Sequence, residues 1–319
     1  MSQPIHIVTR FDGIGGTENH ASALFQFLAG KRAVTLWADR PGGAERRYSA
    51  TPIISFSGQR PEGGTLIILG THLESGIWLE YARVRRLVVI CNMFSLERIF
   101  ALLALLDRPS LPVAELVFVS QALKNAVGLP GIVCPPLIDL DRFHPSRRTQ
   151  ASAFRIGRHS RDDLGKHHPE DISLYRMLAW RGYEVRIMGG ECLRPFVADM
   201  PVIDLLKIDE EDAADFVANL DCFFYRTAPG KPEASGRAVM EALASGTPVI
   251  ASPAGGYTEW IEPGINGFIV HNQEEAFERI VELAGHPEKA RRLSENARAS
   301  AQNICGAASL ANYLDWLYA

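Results

Sequence analysis

Two glutamates, eight residues apart, lie in the stretch of the sequence whose residue types and spacing best suit ligand binding or catalysis. Glu233 precedes a predicted helix and Glu241 lies within it, in the run Pro-Glu-Ala-Ser-Gly-Arg-Ala-Val-Met-Glu-Ala-Leu-Ala-Ser-Gly that begins at Pro232. The first N–H groups of a helix are unpaired and carry partial positive charge, so small residues there let a phosphate approach the backbone. A carboxylate farther along, among small side chains, leaves room for a pair of hydroxyls. This stretch therefore predicts a site for a polar ligand that carries phosphate.

Each glutamate also has an ordinary explanation when it is taken alone. Glu233 could be an acid that complements the helix dipole, and Glu241 could be an exposed helix residue. The small residues Ala234, Ser235 and Gly236, at the start of the helix, lie between them and favour the functional interpretation.

A charged segment farther upstream, Ile-Gly-Arg-His-Ser-Arg-Asp-Asp-Leu-Gly-Lys, follows a predicted strand. Its Arg158 and Lys166 are two cations near the end of that strand, and the segment taken alone would suggest a solvated loop. The neighbouring histidines do not predict a metal site, because two are adjacent and no Cys or carboxylate cluster completes a ligand set. These histidines are His159, His167 and His168.

The first half of the chain offers a glycine loop and two candidate polar residues. Gly15 and Gly16 follow the first predicted strand and open a helix, a position that exposes helix N–H groups to an anion. His72 and Asn92 each follow a later predicted strand. His72 could lie at a binding site or serve as a structural loop residue, and Asn92 can hydrogen-bond a hydroxyl but does not titrate near neutral pH.

The elements that must position these residues form two alternating series. Short apolar runs separated by amphipathic segments predict β-α-β units around parallel sheets in both halves. The predicted strands are Ile5–Thr9, Val34–Trp37, Thr65–Leu69, Leu87–Cys91 and Glu115–Val119, then Phe154–Gly157, Val185–Met188, Cys222–Tyr225, Pro248–Ala251 and Gly267–Val270. Ligands of such α/β folds bind beyond the carboxyl ends of the strands.

A connector at 135–152, rich in Pro and then in Arg and Ser, separates the two series. The sequence therefore predicts an α/β protein with one Rossmann-like domain at 1–145 and another at 146–305, facing a cleft. The last segment, 306–319, is predicted to be a helix that could cross back to the first domain.

Composition excludes several classes of protein. The chain has 319 residues, 47% of them hydrophobic and 22% charged, which is ordinary globular usage. A net charge of −4 gives no support for nucleic-acid binding, and no uncharged apolar run reaches membrane-spanning length. Five scattered cysteines without Cys-x-x-Cys spacing favour a reduced, cytoplasmic protein.

One helical segment, Met93–Asp107, is apolar on nearly every face. The favoured interpretation is a helix buried against the sheet, and the alternative is a surface that dips into a membrane.

Several segments, in order along the chain, resemble the retaining family 4 glycosyltransferases, which have the GT-B fold. They are Val119–Lys124, Pro136–Pro145, the Arg158-to-Lys166 loop, the Glu-x7-Glu block and Gly255–Val270. The resemblance implies transfer of a sugar from a nucleotide-diphosphate-sugar donor to a glycan or lipid-linked acceptor, with retention and without a metal or other cofactor. It further implies a role in cell-surface glycan or lipopolysaccharide assembly, with peripheral contact at the inner face of the membrane.

The same resemblance assigns roles to the residues that match its motifs. Glu233 contacts the donor sugar, Glu241 holds the ribose, and the backbone at 235–237 receives the diphosphate together with Arg158 and Lys166. Gly15 and Gly16 face the donor or acceptor. Family members often carry a His after the fourth or fifth strand, where this chain has Asn92, which leaves His72 as the other candidate for handling the acceptor.

Other functions remain open on the sequence. A catalytically silent nucleotide-sugar-binding subunit fits the absence of that His, and a sugar-nucleotide epimerase or a phosphorylase could share the fold. A Rossmann oxidoreductase is disfavoured, because Glu18 stands where its glycine fingerprint needs a third Gly or Ala.

Overall fold

The computed structural model describes residues 3–11, 15–39, 59–73, 76–146 and 153–318. The chain divides into two compact units, the first ending at Leu137 and the second beginning at Ile138. Each unit contains one parallel sheet covered by helices, which confirms the predicted α/β class with two Rossmann-like domains. Residues 147–152 of the predicted connector lie outside the described residues, and the return of 306–319 to the first domain stays a prediction.

The sheet of the first unit has the strand order β2-β1-β3-β4-β5-β6, and every pairing in it is parallel. Its strands are β1 (Ile5–Thr9), β2 (Val34–Ala38), β3 (Thr65–Leu69), β4 (Arg86–Cys91), β5 (Ala114–Phe118) and β6 (Ile132–Val133). Its helices are α1 (Gly16–Ala29), α2 (Leu96–Leu106) and α3 (Gln121–Val127). The continuous apolar runs form strands because a parallel sheet is covered on both faces. Consequently, all five residues of β1 are buried.

The second unit has a sheet of order β12-β11-β10-β7-β8-β9, again with parallel pairings. Its strands are β7 (Arg155–His159), β8 (Glu184–Met188), β9 (Ile203–Leu206), β10 (Cys222–Tyr225), β11 (Val249–Ala251) and β12 (Gly267–Ile269). Its helices are α4 (Asp171–Trp180), α5 (Arg194–Val197), α6 (Ala213–Ala218), α7 (Arg237–Ala244), α8 (Gln273–Gly285), α9 (Pro287–Cys305) and α10 (Ala307–Tyr318). Because β11, β10 and β7 are neighbours and parallel, the loops that follow them meet at one edge of the sheet.

Helix α7 is held at its carboxyl end by an arginine from α9. Arg298 donates hydrogen bonds to the carbonyls of Ala244 at 2.7 Å, Phe143 at 2.6 Å and Leu140 at 3.1 Å. Hydrogen bonds to a charged donor contribute more than neutral ones, so this arginine fastens the connector and the end of α7 together. The amino-terminal end of α7 is next to the loop that follows β10 at the edge of the sheet.

Helix α2 is buried on one side only. Ile99, Leu102 and Leu106 are buried, but Leu96 and Phe100 are 40% and 47% exposed. The favoured interpretation of a buried helix is therefore confirmed for the inner side of α2 and wrong for its outer side. Among the described residues, no helix is both long enough and apolar enough to cross a membrane.

Candidate functional site

The start of α7 is shaped by a glycine that no other residue could replace without strain. Gly236 precedes the helix with φ +61° and ψ +58°, in the left-handed region. A Cβ at this position would come within 2.5 Å of the Tyr257 ring. The chain before it is fixed as well, because Glu233 donates its N–H to the Ala254 carbonyl at 3.2 Å and accepts from the Gly256 N–H at 2.9 Å. With Ser235 only 9% exposed, small residues and fixed backbone surround the first N–H groups of α7.

An ion pair joins the loop after β7 to the loop after β10. Lys166 Nζ contacts Glu233 Oε1, and the two side chains keep 20% and 18% of their surface exposed. Lys166 ends a single helical turn whose start is capped by Asp163, which accepts a 2.8 Å hydrogen bond from the Gly165 N–H. The structure thus brings together two residues that the sequence separates by 67 positions.

The second glutamate of the motif is buried and doubly paired. Glu241 is 5% exposed; its Oε1 accepts from Arg237 Nε at 2.8 Å, and its Oε2 lies 3.1 Å from His159 Nε2. Burial acts to raise the pKa of Glu241, but Arg237 and His159 outweigh it, and the pKa is lowered overall. The carboxylate is therefore ionised near neutral pH and held in one orientation. The interpretation of Glu241 as an exposed helix residue is wrong.

Arg158 lies deeper than the other predicted catalytic residues. It is 0% exposed, and its guanidinium donates to the carbonyl of Arg226 at 2.6 Å and to that of Lys166 at 2.6 Å. The guanidinium carbon also lies 4.5 Å from the centre of the Tyr225 ring, a distance typical of cation–π contact. Its two terminal nitrogens, Nη1 and Nη2, are thus directed at protein carbonyls in the interior.

A buried polar cluster surrounds Arg158, and sequence reasoning did not identify it. Asp171 is 0% exposed and lies 3.4 Å from Arg226 Nε, while Arg226 Nη2 also donates to Glu170 Oε2 at 3.0 Å. Burial raises the pKa of Asp171 to about 7, although Arg226 and Arg158 act in the opposite direction. The sequence offered one signal, since Asp171 follows the Arg158 loop closely along the chain. However, Asp171 is also the first residue of α4, where an acid usually complements the helix dipole.

In the first unit, the residue that follows β4 lies close to the start of α1, the helix that comes after β1. Gly15 is the cap of α1, and Gly16 is its first residue. Asn92, directly after β4, donates its side-chain N–H to Thr17 Oγ1 at 3.0 Å. The structure thus connects Asn92 to the first turn of α1, beside the predicted glycine loop.

His72 follows β3, which lies between β1 and β4, and its ring contacts a residue of α2. Arg98 Nη1 lies 2.9 Å from His72 Nδ1 and 2.8 Å from His72 Nε2. Among the described residues, no group of three His, Cys, Asp or Glu side chains is arranged to hold a metal ion. Metal independence itself stays a prediction.

Comparison with solved structures identifies the architecture. A structure of Anabaena Alr3699/HepE, in complex with UDP-glucose, superposes with a TM-score of 0.78 at 19% sequence identity and covers 98% of each chain. At such an identity the likeness shows the fold alone, and that fold is the GT-B arrangement of two parallel-sheet α/β domains.

Sequence comparison finds a protein family that part of this chain resembles. Residues 202–300 match the family Glycosyl transferases group 1, a range that contains both glutamates of the motif. Spore coat protein SA of Bacillus subtilis is 38% identical over 156 residues, which cover 45% of this chain and 39% of that protein. A GDP-mannose-dependent alpha-(1-6)-phosphatidylinositol dimannoside mannosyltransferase of Mycobacterium tuberculosis is 30% identical over 195 residues, covering 55% of this chain and 49% of that protein. The chain thus spans less than half the length of these two relatives, and its second unit carries a region similar to group 1 glycosyl transferases.

We expect Gly236→Ala to destabilise the protein and misplace the start of α7. The left-handed backbone costs a residue with a Cβ about 1–2 kcal/mol, and the overlap with Tyr257 adds to this cost. Gly230→Ala is the matched control, because Gly230 also has positive φ (+73°) but has open space around its Cβ position. Urea denaturation should show a clearly larger loss for Gly236→Ala. Equal losses would contradict the role of the Tyr257 contact.

His167 should make the protein less stable as the pH falls below neutrality. Burial, assisted by the charge of Arg158, lowers the pKa of His167 from 6.5 to about 3. The unfolded chain therefore takes up a proton between pH 7 and pH 5 that the folded chain does not. This linkage lowers the free energy of unfolding by about 2 kcal/mol over that interval.

Urea denaturation at pH 7, 6 and 5 tests this expectation. His167→Gln should lose less stability with falling pH than the unaltered chain, because glutamine can still donate to the Gly189 carbonyl that His167 contacts at 3.4 Å. The exposed His271 supplies the control variant, His271→Gln. Parallel curves for the unaltered chain and His167→Gln would contradict the expectation.

Proposed function

We propose that the protein is a retaining glycosyltransferase that transfers a sugar from a nucleotide-diphosphate-sugar to an acceptor hydroxyl without a metal ion. The observation that carries the proposal is the Lys166–Glu233 ion pair before the start of α7, together with a buried, ionised Glu241 within that helix. The group 1 glycosyl transferase match over 202–300, which spans both glutamates, supports it.

The diphosphate of the donor would bind where Lys166 faces the start of α7. The N–H groups at Ser235, Gly236 and Arg237 offer hydrogen bonds, and the helix dipole favours negative charge there. Because Lys166 is already paired with Glu233, a bound diphosphate would compete for its ammonium group. Donor binding would thus free the Glu233 carboxylate to accept hydrogen bonds from the hydroxyls of the donor sugar.

The ribose of the donor would bind at Glu241. An ionised carboxylate has about four acceptor positions, of which Arg237 and His159 occupy two. The remaining positions suit two adjacent hydroxyls, and the two basic partners hold the carboxylate in place before the ligand arrives. Pre-orientation of this kind reduces the cost of binding.

The chemical step would break the bond between the anomeric carbon and the diphosphate oxygen and form a bond from that carbon to the acceptor oxygen on the same face. The acceptor hydroxyl would lose its proton to an oxygen of the departing diphosphate. Lys166 and the start of α7 would stabilise the negative charge that develops on the leaving group.

The first unit would supply the acceptor side through Gly15, Gly16, His72 and Asn92. The exposed Leu96 and Phe100 of α2 support a peripheral contact with the inner face of the membrane, and with it a lipid-linked acceptor and a role in cell-surface glycan or lipopolysaccharide assembly. The mycobacterial relative, named for its action on a phosphatidylinositol dimannoside, supports the same class of acceptor.

Glu233→Gln should lower turnover by about 100-fold while leaving the affinity for the nucleoside diphosphate unchanged or slightly tighter. The amide cannot accept sugar hydroxyls as a carboxylate does, but it releases Lys166 for the diphosphate. Turnover can be measured as release of nucleoside diphosphate from whichever sugar nucleotide binds, and affinity by calorimetry.

Glu278→Gln, at an exposed position on α8, is the control and should match the unaltered chain in both measurements. Equal losses of turnover and of nucleotide affinity in Glu233→Gln would contradict the role assigned to Glu233.

A further inference from the structure

The guanidinium of Arg158 joins two loops that end at the proposed diphosphate site. One nitrogen donates to the Arg226 carbonyl, directly after β10, and the other donates to the Lys166 carbonyl, in the loop after β7. The same two loops meet again where the Ala228 N–H donates to the Gly165 carbonyl at 3.3 Å. The position of the Lys166 backbone is therefore set from the interior, by a residue on β7.

Burial removes Arg158 from contact with any ligand at the surface. Its side chain is fully enclosed, and the Tyr225 ring covers one face of the guanidinium at 4.5 Å. Tyr225 in turn contacts Tyr257 edge-on, with ring centres 5.6 Å apart, and Tyr257 packs under Gly236. The same stack of side chains thus supports the Lys166 loop and the start of α7.

The charge of Arg158 is balanced inside the protein. Asp171, the buried acid at the start of α4, is paired with Arg226 at 3.4 Å and acts electrostatically on Arg158. Arg226 also pairs with the exposed Glu170. At a pH above the pKa of Asp171, which is about 7, the two arginines are therefore matched by two acids.

We infer that Arg158 is a positioning residue, which holds Lys166 opposite Glu233 through the Lys166 carbonyl and makes no contact with the diphosphate. The inference rests on the proposed function, since it concerns how that donor site is built. A planar guanidinium fork reaches two carbonyls from two separate nitrogens, whereas a lysine ammonium is a single point of charge.

A double-mutant cycle distinguishes positioning from direct contact. The quantity measured is the diphosphate preference, which is the ratio of the dissociation constant of the nucleoside monophosphate to that of the nucleoside diphosphate with the same base. Calorimetry at pH 8, above the pKa of about 7 of Asp171, gives both constants for the unaltered chain, Arg158→Lys, Lys166→Ala and the double variant.

If Arg158 acts through Lys166, each single variant should lower the diphosphate preference about tenfold and the double variant should lower it no further, because residues that act as a unit are not additive. The affinity for the monophosphate should change little, whereas general destabilisation would weaken both nucleotides. Arg155→Lys is the matched control on the same strand, where Arg155 pairs with Glu184, and it should keep the full preference.

A double variant that loses about a hundredfold, the product of the two single effects, would show independent contacts and overturn the inference. If the unaltered chain binds no nucleoside diphosphate more tightly than the corresponding monophosphate, the proposed function is overturned, and the inference with it. These two failures are distinguished by the unaltered chain alone.

Asp171→Asn provides a second route if Arg158→Lys does not fold. It removes the buried countercharge and keeps the shape of the side chain, so it should lower the diphosphate preference in the unaltered background and have no effect in Lys166→Ala. Glu170→Gln, at the exposed neighbour that also contacts Arg226, is its control. An equal effect of Asp171→Asn in both backgrounds would overturn the inference.

Discussion

Lys166 and Glu233 form an ion pair where the loops after β7 and β10 meet. This pair neutralises both charges while no ligand is bound. Unpaired charge is costly where solvent is restricted, so a site for a diphosphate needs an internal partner for its cation. Glu233 provides that partner for Lys166. Under the proposed function, the arriving ligand would exchange one anion for another, and the ion pair would be the resting state of the site.

Glu241 and Arg158 show two other solutions to the same problem. Glu241 is kept ionised by Arg237 and His159, so burial orients the carboxylate without neutralising it. Arg158 directs its two terminal nitrogens to carbonyl groups and is stacked on an aromatic ring. In each case the neighbouring groups determine whether a charged side chain is available to a ligand or supports the backbone.

Sequence patterns predicted the elements well where the chain is apolar and periodic. Strands Thr65–Leu69 and Cys222–Tyr225 have the bounds that were predicted. The edge strand β9 and the short helix α5 were missed. Asp204 interrupts the apolar run of β9, and α5 has only four residues, so neither segment shows the continuous pattern that marks a central strand or a long helix.

The sequence predicted which residues lie together at the candidate site better than it predicted how deeply each of them is buried. Glu233, Lys166 and Gly236 come together as the strand order of a parallel sheet implies, because residues after adjacent strands share an edge. The depth of Arg158 could not be read from the sequence, since burial of a charged side chain depends on partners far along the chain. Its countercharge Asp171 resembles an ordinary acid in the first turn of a helix.

The most direct test of the account is a thermal-shift measurement of the purified chain with UDP, GDP, ADP, TDP and CMP and with their sugar conjugates, in the absence and presence of EDTA. The account predicts that at least one nucleoside diphosphate raises the unfolding midpoint, and that EDTA leaves the increase unchanged. A folded sample whose midpoint moves with none of these compounds would contradict it.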